Sequence, residues 1–205
     1  MRVLPYGPDA LLVETDSGER CAALHAELVR RLPVGAVRDV VPAARTVLLD
    51  GFADPGFRAR LAAELPGWEV PKHVPAAGAE VVVPVRFDGP DLAEVARLWG
   101  VAPGRVAEIV GGTPFRVAFC GFAPGFGYLT GLPEALWPAR RASPRPSVPA
   151  GSLGLAGEYA GIYPRSSPGG WRLIGTAEVA VWDPGREPAA LFAPGDTVRF
   201  TAVER

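Results

Sequence analysis

Residues 119–171 read FCGFAPGFGYLTGLPEALWPARRASPRPSVPAGSLGLAGEYAGIYPRSSPGGW. Glycine, proline and aromatic residues alternate there with short apolar runs. Proline lacks an amide and blocks the preceding helical turn, and an interior glycine costs a helix about 1 kcal/mol against alanine. The stretch therefore predicts tightly turned backbone between short strands, of the kind that lets a ligand or partner approach the main chain. Most of the functional information is expected here, and the remainder reads mainly as scaffold.

The same texture begins at Phe115 and continues to the C-terminal end. FRVAFCGF, GSLGLAG, GIYP, GWRLIG, EVAVWDP, AALFAPGD and TVRFTAV are each bounded by glycine or proline. Many short, evenly spaced strands predict an all-β barrel or sandwich. Upstream, Arg2–Tyr6 and Ala10–Glu14 are β-prone runs around a Gly7-Pro8-Asp9 turn. Asp16 or Ser17 can cap a helix whose apolar face is Cys21, Leu24, Leu28 and Leu32. Val37–Val41 and Thr46–Leu49 read as strands. Asp54-Pro55 opens a second helix with Phe57, Leu61 and Leu65 inward. A proline- and alanine-rich crossing, PGWEVPKHVPAAGA, leads to the strand Glu80–Phe87. The order strand, helix, strand, strand, helix, strand predicts a ferredoxin-like split βαβ domain over residues 1–87. Asp88 or Asp91 then caps a helix bearing Leu92, Val95, Ala96 and Trp99, and Pro103 starts another through Val106 and Ile109. Residues 88–112 thus predict a helical bridge, and 113–205 the β domain. The class is α+β.

Composition narrows the function classes. The 205 residues are 48% hydrophobic and 21% charged with a net charge of −1. Such a chain buries a core and offers no general field for nucleic acid or an anionic membrane. The start lacks a basic region followed by a long apolar run, and no stretch is long and apolar enough to span a bilayer, so a soluble, cytoplasmic protein is expected. Lys72 is the only lysine and arginine supplies the other bases; the arginine fork suits carboxylate and phosphate. Cys21 and Cys120 have no metal-type spacing and form no disulfide framework.

Several motifs can be set aside. GFGYLT lacks the third glycine and following helix of a dinucleotide loop. No G-x-x-x-x-G-K-[ST] exists. Ser152 lies between glycines, but G-x-S-x-G is absent and no histidine follows; the two histidines are His25, on a helix flank, and His73, in the crossing. Cys120, in an apolar strand, reads as packing. SSPGGW is more suggestive. Ser166, Ser167 and Pro-Gly-Gly can turn amides into one concavity fit for a carboxylate or phosphate oxygen, with Trp171 as a wall, or they can form a tight hairpin. Arg140, Arg141, Arg145, Arg165 and Arg172 cluster nearby. Glu158 and Asp183 are the carboxylates nearest the glycine-rich turns.

Taken in order, GFAPGFGYL, SPRPSVPAGSLGLAG, GIYP, SPGGWRLIG and APGDTVRF resemble the family of KipI and the 5-oxoprolinase B subunit, also called allophanate hydrolase subunit 1, and PVRFDGPDLAEVA is similar to it as well. The likeness is strong over roughly residues 80–200 and compatible in layout before that. It implies an N-terminal α/β domain and a cyclophilin-like C-terminal barrel. It also implies two partners, a C subunit of the KipA type and an A subunit, and the complex cleaves 5-oxoproline to glutamate with ATP and Mg2+. No tightly bound cofactor and no metal ligands are expected in this chain. Relatives include inhibitors of a sensor histidine kinase, and the domain also occurs in urea carboxylase.

Three places depart from the family pattern. Relatives carry a histidine where this chain has Val110-Gly111-Gly112, Gln-Thr where it has Tyr159-Ala160, and IGRTP where Gly175 is followed by Thr176-Ala177-Glu178. The expected function is the B subunit of an ATP-dependent 5-oxoprolinase, inactive alone. The alternatives are a KipI-like kinase inhibitor, motivated by the altered polar positions, or a subunit of another amide- or urea-processing complex. The expected binding residues are Phe126, Tyr128 and Trp171 as walls, Arg145 as anion clamp, Ser152, Ser167, Gly169 and Gly170 as polar or backbone donors, and Tyr163 beside them.

Overall fold

The computed structural model describes residues 1–71 and 78–203. Lys72 and His73 lie outside the described residues. The chain divides into two compact units, Met1–Pro75 and Ala76–Arg205.

In the first unit β1 (Arg2–Pro5), β2 (Leu11–Glu14), β3 (Asp39–Pro42) and β4 (Thr46–Asp50) form an antiparallel sheet in the order β1-β2-β4-β3. Alternation along the strands puts Leu11 and Val13 of β2 and Val47 and Leu49 of β4 into one core. That core also takes Cys21, Leu24 and Leu28 of α1 (Gly18–Arg31) and Leu61 of α2 (Pro55–Glu64). Ser17 caps α1 by accepting from the Arg20 N–H at 3.2 Å, and Asp54 caps α2 through Gly56 at 2.7 Å. His25 is half-buried on α1, and burial lowers its pKa against a hydrogen bond to the Val40 main chain.

Glu80–Arg86 (β5) does not close this sheet, contrary to the expected split βαβ order. The edge beside β2 is taken by β1, so the unit runs ββαββα with its fourth strand supplied from the N-terminal side. Alternation tells which face of a strand is buried but not which sheet the strand joins. The expected boundary at residue 87 accordingly moves to 75/76.

The second unit is a closed barrel of β5, β6 (Phe115–Cys120), β7 (Gly127–Thr130), β9 (Ser152–Ala156), β10 (Tyr159–Ile162), β12 (Arg172–Ala177) and β13 (Thr197–Ala202). The order is β10-β7-β6-β13-β5-β12-β9, closed by the β9–β10 pair. β13 runs parallel to β5, from Thr197 opposite Glu80 to Ala202 opposite Val85, and the other pairs are antiparallel. Val83, Phe115, Leu129, Leu153, Leu155, Ile162, Ile174 and Phe200 fill the interior. The barrel is the architecture expected of the C-terminal part.

α3 (Leu92–Trp99) and α4 (Pro103–Gly112) are not a bridge between halves. Val95, Ala96, Val106 and Val110 are buried in the barrel's own core. The expected strands EVAVWDP and AALFAPGD reduce to a single bridge between Trp182 and Ala190. Conversely, β8 (Arg145–Val148) and β11 (Ser167–Gly169) form a separate two-stranded ribbon. No helix among the described residues is long and apolar enough to cross a membrane.

Candidate functional site

The glycine- and aromatic-rich loops of the barrel enclose a cavity of about 470 Å3, within the ~300–1,000 Å3 usual for small-molecule sites. Phe126 is its central wall. The ring packs edge-on against Tyr128, Tyr163, Trp171 and Phe122, with centroids 5.0, 5.5, 5.4 and 5.3 Å away. Tyr159 meets Tyr128 edge-on at 5.4 Å and completes the aromatic lining. Phe122 stands at the lip, 60% exposed. It is the one non-glycine residue with positive φ (67°) among the described residues, a conformation that costs a bulky side chain on the order of 1–3 kcal/mol. Gly121 and Ala123 close the turn that holds it, with the Ala123 N–H donating to the Gly121 carbonyl at 2.7 Å. Gly169 is required where it stands, because a Cβ there would overlap the Tyr163 hydroxyl.

Polar groups sit at the margin of this apolar box. Arg140 and Glu158 line it and both are exposed. Among the described residues the Arg140 guanidinium has no ion pair or hydrogen bond. It lies against Gly170, where an added Cβ would be 3.8 Å from Nε and Nη2. Burial raises the Tyr128 and Tyr163 phenols above their ordinary range, and the charge of Arg140 partly offsets this at both. They are neutral hydroxyls at pH 7, suited to hydrogen bonding and not to proton abstraction. The nearby Trp171 main chain also works against the rise at Tyr163.

A second, smaller cavity of about 300 Å3 is lined by Asp88, Arg145, Ser147, Ser152 and Thr176 among others. Arg145 is not a free clamp. Its Nη2 bonds Asp91 Oδ1 at 2.7 Å, and Arg141 Nη1 reaches the same oxygen at 3.1 Å. Asp91 is only 3% exposed. It occupies the N-cap position of α3, yet its carboxylate does not cap the helix; Oδ2 accepts from the Leu173 N–H at 2.7 Å, and the Asp91 N–H donates to the Leu173 carbonyl at 2.9 Å. The approach is close because residue 89 is glycine, where a Cβ would overlap the Leu173–Ile174 main chain. Burial pushes the Asp91 carboxyl up, but the Arg145 and Leu173 hydrogen bonds and the two arginine charges outweigh it, holding the group below its ordinary value.

The expected site residues therefore separate. Phe126, Tyr128, Tyr163, Gly169 and Trp171 share the aromatic cavity, with Gly170 under Arg140. Arg145 and Ser152 belong to the second cavity. Ser167 lines neither, and its hydroxyl is buried with no hydrogen-bond partner among the described residues. Ser167–Gly169 is a strand paired with β8, so SSPGGW forms a ribbon and not an anion concavity. Asp183 accepts from Gly185 N–H at 2.9 Å in a local turn. Phe122, Tyr159 and Asp91 are not singled out as binding residues by the sequence; for Phe122 a signal exists, its place inside GFAPGF. Among the described residues no group of His, Cys, Asp and Glu could hold a metal ion.

Cys120 is half-buried and its thiol lies 3.8 Å from the Phe192 carbonyl. Burial, with a smaller contribution from Asp196, pushes it up to about 11. In a Cys21→Ser variant, alkylation of the remaining thiol by iodoacetamide is expected to rise with pH toward a midpoint of about 11; a midpoint at or below 9, the ordinary value, would show an activated thiol instead.

The model of the carboxyltransferase domain, subdomains C and D, matches residues 1–192. The chain belongs to that family. It is 43% identical over 136 residues to the 5-oxoprolinase B subunit of Escherichia coli O157:H7, covering 65% of this chain and 62% of that one. It is 40% identical over 158 residues to the 5-oxoprolinase B subunit of Haemophilus influenzae, covering 76% of this chain and 73% of that one. The crystal structure of TTHA0988 superposes with a TM-score of 0.79 at 38% identity, over 97% of this chain and 40% of that one. The chain thus spans under two thirds of the E. coli relative and well under half of TTHA0988. In this carboxyltransferase-domain chain the three departures from the motif pattern fall in different places. Tyr159 lines the aromatic cavity, and Thr176 lines the second cavity, where its hydroxyl bonds Asp88 at 2.9 Å. Val110 is core, and Gly111 lets α4 lie against the Phe200 carbonyl.

Proposed function

We propose that this chain is the B subunit of an ATP-dependent 5-oxoprolinase, opening 5-oxo-L-proline to L-glutamate together with a KipA-type C subunit and an A subunit. The carrying observation is an aromatic cavity whose rim holds one arginine that has no carboxylate partner among the described residues. 5-Oxoproline is a flat five-membered lactam bearing one carboxylate. Phe126, Tyr128 and Trp171 offer walls for the ring, Arg140 a two-pronged partner for the carboxylate, and the Tyr163 hydroxyl a donor for the lactam oxygen. The names of the relatives at 40–43% identity support the same reading.

A lactam is a poor electrophile, which accounts for ATP. The lactam oxygen takes the γ-phosphoryl group and ADP leaves. Water adds to the activated carbon, the ring C–N bond breaks with the nitrogen leaving protonated, and a second water releases phosphate. A triphosphate with Mg2+ asks for several cationic or main-chain donors and a carboxylate to hold the ion. The cavity offers one arginine, so it fits the lactam better than the nucleotide, and we assign ATP to a surface completed by the partners. Arg145, being bound to Asp91, is reassigned from clamp to support.

The test is ADP release by this chain purified with both of its partner subunits. Release that depends on added 5-oxoproline is expected. A complex that holds both partners yet releases no ADP with 5-oxoproline would overturn the proposal and point to another amide.

A further inference from the structure

Arg140 lies in a segment, residues 137–144, that has neither helix nor strand to fix it. It is nevertheless pinned on both sides. Before it, the Ala139 carbonyl accepts from Arg172 Nε at 2.9 Å. After it, the Arg141 N–H donates to the Gly170 carbonyl at 2.8 Å, while the Arg141 guanidinium reaches Asp91. Arg172, its side chain 13% exposed, is in turn held by Glu94, Nη1 to Oε2 at 2.5 Å. Asp91 and Glu94 both stand at the start of α3. One helix end therefore supplies two carboxylates, each holding an arginine that fixes one flank of Arg140.

The same arrangement sorts the charges. Arg141 and Arg145 are matched by Asp91, and Arg172 by Glu94. Arg140, at the cavity, is left without an ion pair among the described residues. A loop arginine on a long side chain would otherwise sample many positions, and holding a charge in one place is what makes a binding site selective.

We infer that Asp91 and Glu94 are positioning residues, which act through Arg141 and Arg172 to hold Arg140 over the cavity and make the site selective for lactams that carry a carboxylate. The inference rests on the 5-oxoproline reading of that cavity. Asp91 is buried and its loss would disturb the fold, so the test uses Glu94→Gln, at a 38% exposed side chain, and Arg172→Met. The assembled complex is assayed with 5-oxoproline as substrate and with 2-pyrrolidinone, the same ring without the carboxylate, as competitor. Each variant is expected to raise the KM for 5-oxoproline about tenfold, with kcat and the inhibition constant of 2-pyrrolidinone within about twofold of the parent. Equal weakening of both ligands, or of neither, would overturn the positioning role. Hydrogen exchange at the Arg141 amide supplies a readout without substrate: it is expected to quicken in both variants while the amides of β9 stay protected. Unchanged exchange would overturn the inference, whereas a parent complex indifferent to 5-oxoproline would overturn the function and leave this arm to decide the positioning.

Discussion

Arg140→Ala is expected to raise the KM of the assembled complex for 5-oxoproline about 100-fold while leaving the melting temperature of the chain unchanged. The size follows from the contact. A forked, charge-assisted pair of hydrogen bonds to a carboxylate contributes roughly 1.5–3 kcal/mol, and each 1.4 kcal/mol is about a factor of ten. The absence of a stability effect follows from the structure: Arg140 is exposed and has no ion pair among the described residues, so truncation leaves no buried charge behind. Arg140→Lys should recover part of the loss, because a single ammonium keeps the charge but not the fork. Steady-state kinetics and a thermal melt on the same preparations decide it. An unaltered KM would remove Arg140 from the site; a lowered melting temperature would mean that it serves the fold.

Asp91→Ala has the opposite signature. It removes the acceptor shared by Arg141, Arg145 and the Leu173 amide and strands two arginines in a half-buried setting. Breaking a buried ion pair from one side costs about 3–5 kcal/mol, which for a domain of this size lowers the melting temperature by roughly 10–20 °C. The loss depends on pH. The folded-state pKa of Asp91 lies below its ordinary value, so its contribution is fully present above the unfolded pKa and is lost as pH falls through the folded one. The gap between parent and Asp91→Ala is therefore widest near neutrality and closes in acid, below about pH 4. A gap that stayed constant down to pH 2 would show that the carboxylate charge is not what Asp91 contributes. Arg145→Ala should show a smaller loss of the same kind, about 2–3 kcal/mol, since Arg141 still meets Asp91.

The two variants also mark where the sequence is legible and where it is not. The strands Ser152–Ala156, Tyr159–Ile162, Arg172–Ala177 and Thr197–Ala202 are legible because each short apolar run is fenced by glycine or proline. The aromatic walls are legible too, since Phe126, Tyr128, Tyr163 and Trp171 stand among glycines that allow close approach. The partner of β5 is not, because its alternation fits either sheet and the choice is made by Thr197–Ala202, more than a hundred residues later. Nor is the arginine left without an ion pair at the cavity, among the described residues. Five arginines crowd residues 140–172, and which of them is left at the cavity depends on Asp91 and Glu94, far upstream and looking in the sequence like ordinary helix-start residues. Asp91 reads as a cap; the close main-chain approach at Gly89 turns its carboxylate toward Leu173 instead.

The most direct measurement is a crystal structure of the complete complex with 5-oxoproline bound. The lactam ring is expected between Phe126, Tyr128 and Trp171, its carboxylate on the Arg140 guanidinium and its ring oxygen on the Tyr163 hydroxyl. A lactam bound at a site that touches none of these residues, with the aromatic cavity free of ligand, would contradict the assignment of this cavity to the substrate.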